Sequence, residues 1–287
     1  MLFAYGISIA GKSHIDRGKE CEDACDYKVV NGNCVIAAVA DGVGSASHSG
    51  EGAKIAVKSA LEIIEKCMPR QWDALSIVPI ITAAFSYARK EIIKTAEESL
   101  RIEADYDTTL SLVVYNGEYF GYGHCGDGGI VVLDCENKTE TVTARHKGEE
   151  YNVVIPLRGG AGSWEFGYYD KAVCAILLMT DGVFDFAHPP FLDTPYNKFV
   201  IPFLRARCVQ EEDIGAITND LATLFKEGEL YERITDDKTL VGVINNDFLL
   251  PELTPEDVAE PDWAGIEERR REALYATYED PDDTGLE

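Results

Sequence analysis

Basic residues are the scarce component of this chain: 26 Lys and Arg stand against 51 Asp and Glu, a formal net charge of −25 over 287 residues. Nucleic acid is excluded as a partner by that balance, because a phosphate backbone needs a basic footprint. No apolar run approaches the roughly 20 residues a membrane-spanning helix requires. The apolar start, MLFAYGISIAGKSH, lacks a basic leader and a cleavage site, so it reads as a strand of a soluble, cytoplasmic protein with no membrane partner. No two of the 8 cysteines form a Cys-x-x-Cys pair, and Cys34 and Cys174 lie inside apolar stretches. A zinc ribbon and a secreted disulfide framework are therefore both disfavoured. There is no twelve-residue EF-hand loop, and no Cys-x5-Arg loop of the tyrosine phosphatase kind.

Hydrophobic residues make up 46% of the chain, enough for a large core. With no internal repeat and no Gly/Ser linker, residues 1–246 read as one domain. Residues 247–287 hold 14 acids against 3 arginines, a net of −11, and 4 of the 11 prolines. They read as an acidic C-terminal extension with a helix over Ile266–Tyr278. β-branched apolar runs predict strands at Phe3–Ala10, Tyr27–Val30, Cys34–Ala40, Thr109–Tyr115, Glu118–Cys125, Gly129–Leu133, Val173–Thr180 and Thr239–Ile244. Asn116-Gly117 marks a hairpin. Helical periodicity covers Gly50–Lys66, with Ser49 as its cap, Trp72–Ser99 and Glu211–Lys226, while Arg158–Gly167 reads as Gly-rich and irregular. Strands and helices come in groups, which predicts an α+β fold of stacked antiparallel sheets with helices outside.

The acids fall at strand ends: Glu22-Asp23, Asp41-Gly42 after CVIAAVA, Asp127 in GHCGDGG, Asp181-Gly182 after AVCAILLMT, and Asp236-Asp237 before KTLVGVI. Taken singly, each Asp-Gly is an ordinary turn signal, Glu22-Asp23 a solvated pair and Asp236-Asp237 a loop. Taken together, they would meet at the rim of a sheet, where carboxylates repel one another unless cations lie between them. Oxygen ligands of this kind select Mg²⁺, Mn²⁺ or Ca²⁺ over zinc.

The pieces GKECEDA, VIAAVADGVGS, DTTLSLVVYNGEYFGYGHCGDGG, AILLMTDGVFDF and DDKTLVGVI, running in this order from Gly18 to Ile244, resemble the metal-dependent type 2C serine/threonine phosphatases, in a bacterial-like branch. The resemblance implies an α–β–β–α sandwich hydrolysing phosphoserine and phosphothreonine in proteins, opposite a cognate protein kinase. It also implies two Mg²⁺ or Mn²⁺ ions, with a third, weaker one. Asp41 would bridge both ions, Asp181 and Asp236 would complete the first, and Glu22 with the Gly42 carbonyl would serve the second. Asp23 would hold a water of the metal shell, and Asp127 and Asp185 would take the third ion. Glu140–Lys171 stands in the place of the family's flap near the substrate.

This sequence departs from the family at some positions. Gly18 stands where an Arg often grips the substrate phosphate, leaving His14 or Arg17 for that task. Val43 stands where eukaryotic relatives carry a His, and Asp107 where a Gly is common. His48 reads as a surface or capping residue and His124 as a core residue. The missing Arg and the acidic extension motivate an alternative, a pseudophosphatase that binds phosphoproteins or acts as a regulatory module.

Overall fold

The computed structural model describes residues 1–144, 154–208 and 210–276. Two five-stranded antiparallel sheets form the centre. One runs β1 (Leu2–Ile9), β10 (Lys238–Asn245), β9 (Val173–Met179), β6 (Gly129–Asp134) and β7 (Thr139–Thr141); the other runs β2 (Ala24–Val30), β3 (Cys34–Ala40), β4 (Leu110–Tyr115), β5 (Phe120–Cys125) and β8 (Glu165–Tyr169). The second sheet is covered by α2 (Ser49–Lys66) and α3 (Ala74–Glu98). The first is covered by α4 (Asp181–Ala187), α5 (Asn197–Leu204), α6 (Glu212–Lys226) and α7 (Gly228–Arg233). A short helix, α1 (Lys12–Asp16), follows β1, and α8 (Trp263–Ala276) lies in the C-terminal segment. The fold is the α+β, α–β–β–α sandwich expected.

Burial on both faces explains why the central strands read as unbroken apolar runs and not as alternating ones. Along β3, Val35, Ala37 and Val39 enter the core between the sheets, while Ile36, Ala38 and Ala40 pack under α2 and α3. Along β9, Ile176 and Leu178 face the other sheet, and Ala175, Leu177 and Met179 face the outer helices.

Pairing then places the acidic turns. Ala24 at the start of β2 sits opposite Ala40 at the end of β3, so Asp23 and Asp41 flank the same edge. Gly129 at the start of β6 and Leu240 near the start of β10 both sit opposite Met179 at the end of β9. Asp127, Asp181 and Asp236 therefore share one edge of the other sheet. Stacking the sheets brings the two edges face to face.

Some elements differ from the expectation. α2 begins at Ser49, with His48 as N-cap and no side-chain cap, so Ser49 is a buried first-turn residue and not the cap. α3 starts after Asp73, whose carboxylate accepts from the Ser76 N–H at 2.8 Å. The Arg158–Gly167 stretch, which reads as irregular, overlaps a 3₁₀ turn at Leu157–Gly159 and holds the first part of β8. That strand is half-buried along its whole length at a sheet edge, so its apolar signal is weak. α5 carries Pro202 inside it, which masks its helical pattern. α8 covers most of the predicted C-terminal helix; residues 277–278 lie outside the described residues, as do 145–153 of the Glu140–Lys171 block.

The C-terminal segment is fastened to the first sheet's helices. Arg205 Nη1 and Asn137 Nδ2 donate to the Pro251 carbonyl at 2.9 and 3.2 Å. Glu260 accepts from Tyr196, Lys198 and Trp263.

Candidate metal centre

At the floor of the site, where the two sheet ends meet, carboxylate oxygens of the half-buried Asp41, Asp127 and Asp181 lie within 4.8 Å of one another. Asp23, 4% exposed, adjoins them: its charge acts on the Asp41 carboxyl, and it accepts from Thr180 Oγ1 at 2.8 Å. Asp236 and Asp185 act electrostatically on Asp181.

This arrangement is electrostatically unfavourable by itself. Burial, then the charge of Asp237, pushes the Asp23 carboxyl up to about 8. Burial, then Asp127 and Asp236, pushes Asp181 up to about 7. Burial, then Asp23 and Asp181, raises Asp41 well above the ordinary range. An all-oxygen donor set whose members raise one another's proton affinity is what a hard divalent cation relieves, so the residues present fit Mg²⁺ or Mn²⁺.

Backbone anchoring fixes Asp41. Its N–H donates to Thr109 Oγ1 at 2.9 Å, and its carbonyl accepts from Thr108 Oγ1 and the Thr109 N–H, both at 2.8 Å. The Thr108-Thr109 pair was not singled out from sequence, although adjacent threonines opening a buried strand are a visible signal. The Asp-Gly pairs are not turns of the left-handed kind, since neither Gly42 nor Gly182 has positive φ. Close approach is what they permit. A Cβ on Gly42 would lie 2.6 Å from the Glu22 carbonyl oxygen, and one on Gly182 would lie 2.1 Å from the Asp237 carbonyl oxygen. Gly182→Ala is therefore expected to cost roughly 1–3 kcal/mol and to weaken Mn²⁺ binding. A melting temperature and Mn²⁺ titration equal to wild type would show that the neighbouring loop yields freely.

A second group forms the rim, where ligand atoms of His14, Asp236 and Asp237 also lie within 4.8 Å of one another. Asp237 was not chosen from sequence, yet it is 3% exposed and accepts from the Gly11 and Glu22 N–H groups, each at 2.7 Å. Glu22 pairs with Lys19 Nζ at 3.1 Å and faces His14 Nε2 at 3.6 Å. Lys238, fully buried beside these acids, has no hydrogen-bond partner for its Nζ among the described residues and sits 5.2 Å from the Tyr231 ring centroid. Burial lowers its ammonium pKa. Arg17 is exposed and has no ion-pair partner among the described residues.

His48 and His124 are placed structurally. His48 stacks on Tyr106, with ring centroids 5.3 Å apart. His124 is fully buried, with Nδ1 2.8 Å from Ser111 Oγ. Asp107 is accounted for by Arg158, whose Nε and Nη2 each reach its carboxylate at 2.7 Å. The Asp107 carbonyl also accepts from the Val43 N–H at 3.0 Å, tying the 154–163 segment to the loop after Asp41-Gly42. Asp105 to Thr109 has the Asp-x-Asp-x-Thr spacing of phosphatases that use an aspartyl nucleophile. Here Asp107 is engaged by Arg158, and Asp105 accepts from Ser47 Oγ at 3.2 Å, so the spacing serves loop structure.

The protein phosphatase 2C family model matches residues 10–226. The chain belongs to the protein phosphatase 2C family. Membership makes it a protein-serine/threonine phosphatase by class. Serine/threonine-protein phosphatase 3 of Escherichia coli (strain K12) is 25% identical over 241 residues, covering 81% of this chain and 94% of that one. A bacterial serine phosphatase structure superposes with a TM-score of 0.62 at 14% identity, over 88% of this chain and 100% of the other. The serine/threonine phosphatase Stp1 from Staphylococcus aureus gives 0.61 at 15% identity, over 86% and 96%. The catalytic domain of the phosphatase PstP, in complex with 2 manganese ions, gives 0.57 at 17%, over 85% and 97%. These likenesses to solved type 2C phosphatases agree with the two-sheet architecture. No helix among the described residues is long and apolar enough to cross a membrane.

Proposed function

We propose that the chain hydrolyses phosphoserine and phosphothreonine in proteins by direct attack of water, using two Mg²⁺ or Mn²⁺ ions held by Asp41, Asp181, Asp236, Glu22 and the Gly42 carbonyl. The observation that carries this reading is the convergence of the Asp41, Asp127 and Asp181 carboxylates from both sheets, with Asp23 buried beside them and proton affinities raised by desolvation and then by one another's charge. Bound there, the ions would supply an activated water and neutralise phosphoryl oxygens.

The chain's own residues hold that arrangement. Asp41 sits centrally, fixed through its backbone by Thr108 and Thr109, and Asp23, fixed by Thr180, stands ready to orient a water. Asp127 and Asp185 would take a third, weaker ion. In this reading residues 1–246 are the catalytic domain, 247–287 an acidic extension, and the enzyme acts in the cytoplasm against a cognate protein kinase.

Hydrolysis of p-nitrophenyl phosphate and of a phosphothreonine peptide is expected in Mn²⁺ and is expected to stop in EDTA. Turnover that persists in EDTA would overturn the reading. Phosphopeptide binding without turnover in any divalent cation would instead favour the pseudophosphatase alternative.

A further inference from the structure

We propose that His14 is a positioning residue, clamped by Asp237, that sets the Glu22 carboxylate for the second cation, and that it does not grip the substrate phosphate. This inference rests on the dimetal reading above.

The argument starts with how the Asp237 carboxylate is used. Its side chain is 4% exposed. Oδ1 accepts from the Gly11 N–H and Oδ2 from the Glu22 N–H, each at 2.7 Å. Those two donors bracket α1, so one buried carboxylate at the head of β10 closes the whole loop that carries His14 and Glu22. The Ser13 N–H donates to the Thr235 carbonyl at 2.9 Å, adding a second tie between the same two segments.

Within that closed loop, the His14 ring lies between two carboxylates. Nδ1 is 2.9 Å from Asp237 Oδ1, and Nε2 is 3.6 Å from Glu22 Oε2. The Nδ1 contact is a close polar approach and not a hydrogen bond. On its other side Glu22 meets Lys19 Nζ at 3.1 and 3.2 Å. The Glu22 carboxylate thus lies between an imidazole that flanks it and an ammonium that hydrogen-bonds it. The His14 side chain is only 12% exposed, poorly placed to meet an incoming phosphate, whereas Arg17 on the same loop is exposed. Groups that orient a ligating carboxylate in this manner commonly govern metal affinity by about 10–100-fold.

The His14, Asp236 and Asp237 ligand atoms lie close enough together to suggest a cation site of their own. Against this, both Asp237 oxygens already accept backbone N–H groups.

Isothermal titration calorimetry of Mn²⁺ into metal-stripped wild type, His14→Ala, His14→Gln and Asp237→Asn separates the cases, alongside peptide kinetics at several Mn²⁺ concentrations. The expected result is a weaker-site Kd about 10-fold higher in His14→Ala and Asp237→Asn, with the number of bound ions unchanged. Gln places an amide near the Nε2 position, so partial recovery is expected in His14→Gln. Turnover of His14→Ala is expected to recover as Mn²⁺ is raised. Unchanged Mn²⁺ affinity with a raised peptide KM would overturn the inference in favour of a phosphate grip. Loss of one bound equivalent in both His14→Ala and Asp237→Asn would overturn it in favour of a separate cation site. Wild type that binds no Mn²⁺ would instead defeat the dimetal reading itself. Circular dichroism confirms folding, and His14→Gln, which leaves both Asp237 acceptors on the Gly11 and Glu22 N–H groups, guards against loss of the loop.

Discussion

Asp41→Asn is expected to lower kcat at least about 10³-fold, a loss of roughly 4 kcal/mol of transition-state stabilisation, while raising the melting temperature of the metal-free protein. The two effects share one cause. Asp41 is the member of the floor group whose carboxyl is raised by burial and by Asp23, Asp181 and Asp127 together. Removing its charge relieves repulsion that only cations would otherwise relieve, and it removes the central member of the proposed ligand set at the same time. A gain of about 3–8 °C without metal is expected at pH 8, corresponding to about 1–3 kcal/mol in a domain of this size. The Mn²⁺-induced rise in melting temperature should largely vanish. Thermal melts with EDTA and with Mn²⁺, beside turnover of p-nitrophenyl phosphate, provide the check. Retained turnover, or a metal-free variant less stable than wild type, would contradict the account.

The second large effect is one of pH. Free carboxylates titrate near 4, whereas Asp23 is raised to about 8 and Asp181 to about 7 in the folded, metal-free protein. Between those limits the folded state holds protons that the unfolded state has released. Stability is therefore full below about 4 and is lost as pH climbs through about 7–8. Without metal, the melting temperature is expected to fall by roughly 5–10 °C between pH 6 and 8.5. Divalent ions must displace these same protons, so the stabilisation by Mn²⁺ is expected to be small at pH 6 and largest above 8. A metal-free melting temperature that stays flat or rises over this range would refute the assignment.

Much of this centre can be read from the chain because an antiparallel sheet places the end of one strand beside the start of its neighbour. Asp41 after β3 and Asp23 before β2 obey that rule, as do Asp181 after β9 and Asp127 before β6. The strands themselves are legible because both faces are covered, leaving β3 and β9 no polar interruptions. What stays hidden depends on distant contacts. His14 meets Asp237 across nearly the whole chain, and nothing local at either residue announces the other. Asp236 and Asp237 look equivalent in sequence, and only the N–H groups of Gly11 and Glu22 assign the second to the loop. α4 begins at Asp181 itself, so its first residues look like a turn. β8 lacks the dense apolar run that marks the central strands.

Strands enclosed above and below have a further consequence. Along most of their length a new charge would meet hydrocarbon, and a buried polar group such as Ser111 needs a partner like His124, so charge is admitted chiefly where each strand surfaces. Chemical variation in such a sandwich is thereby channelled to its ends, and one of them is already crowded with acids. Novel specificity has room to arise in the loops around that end while the interior stays closed to it.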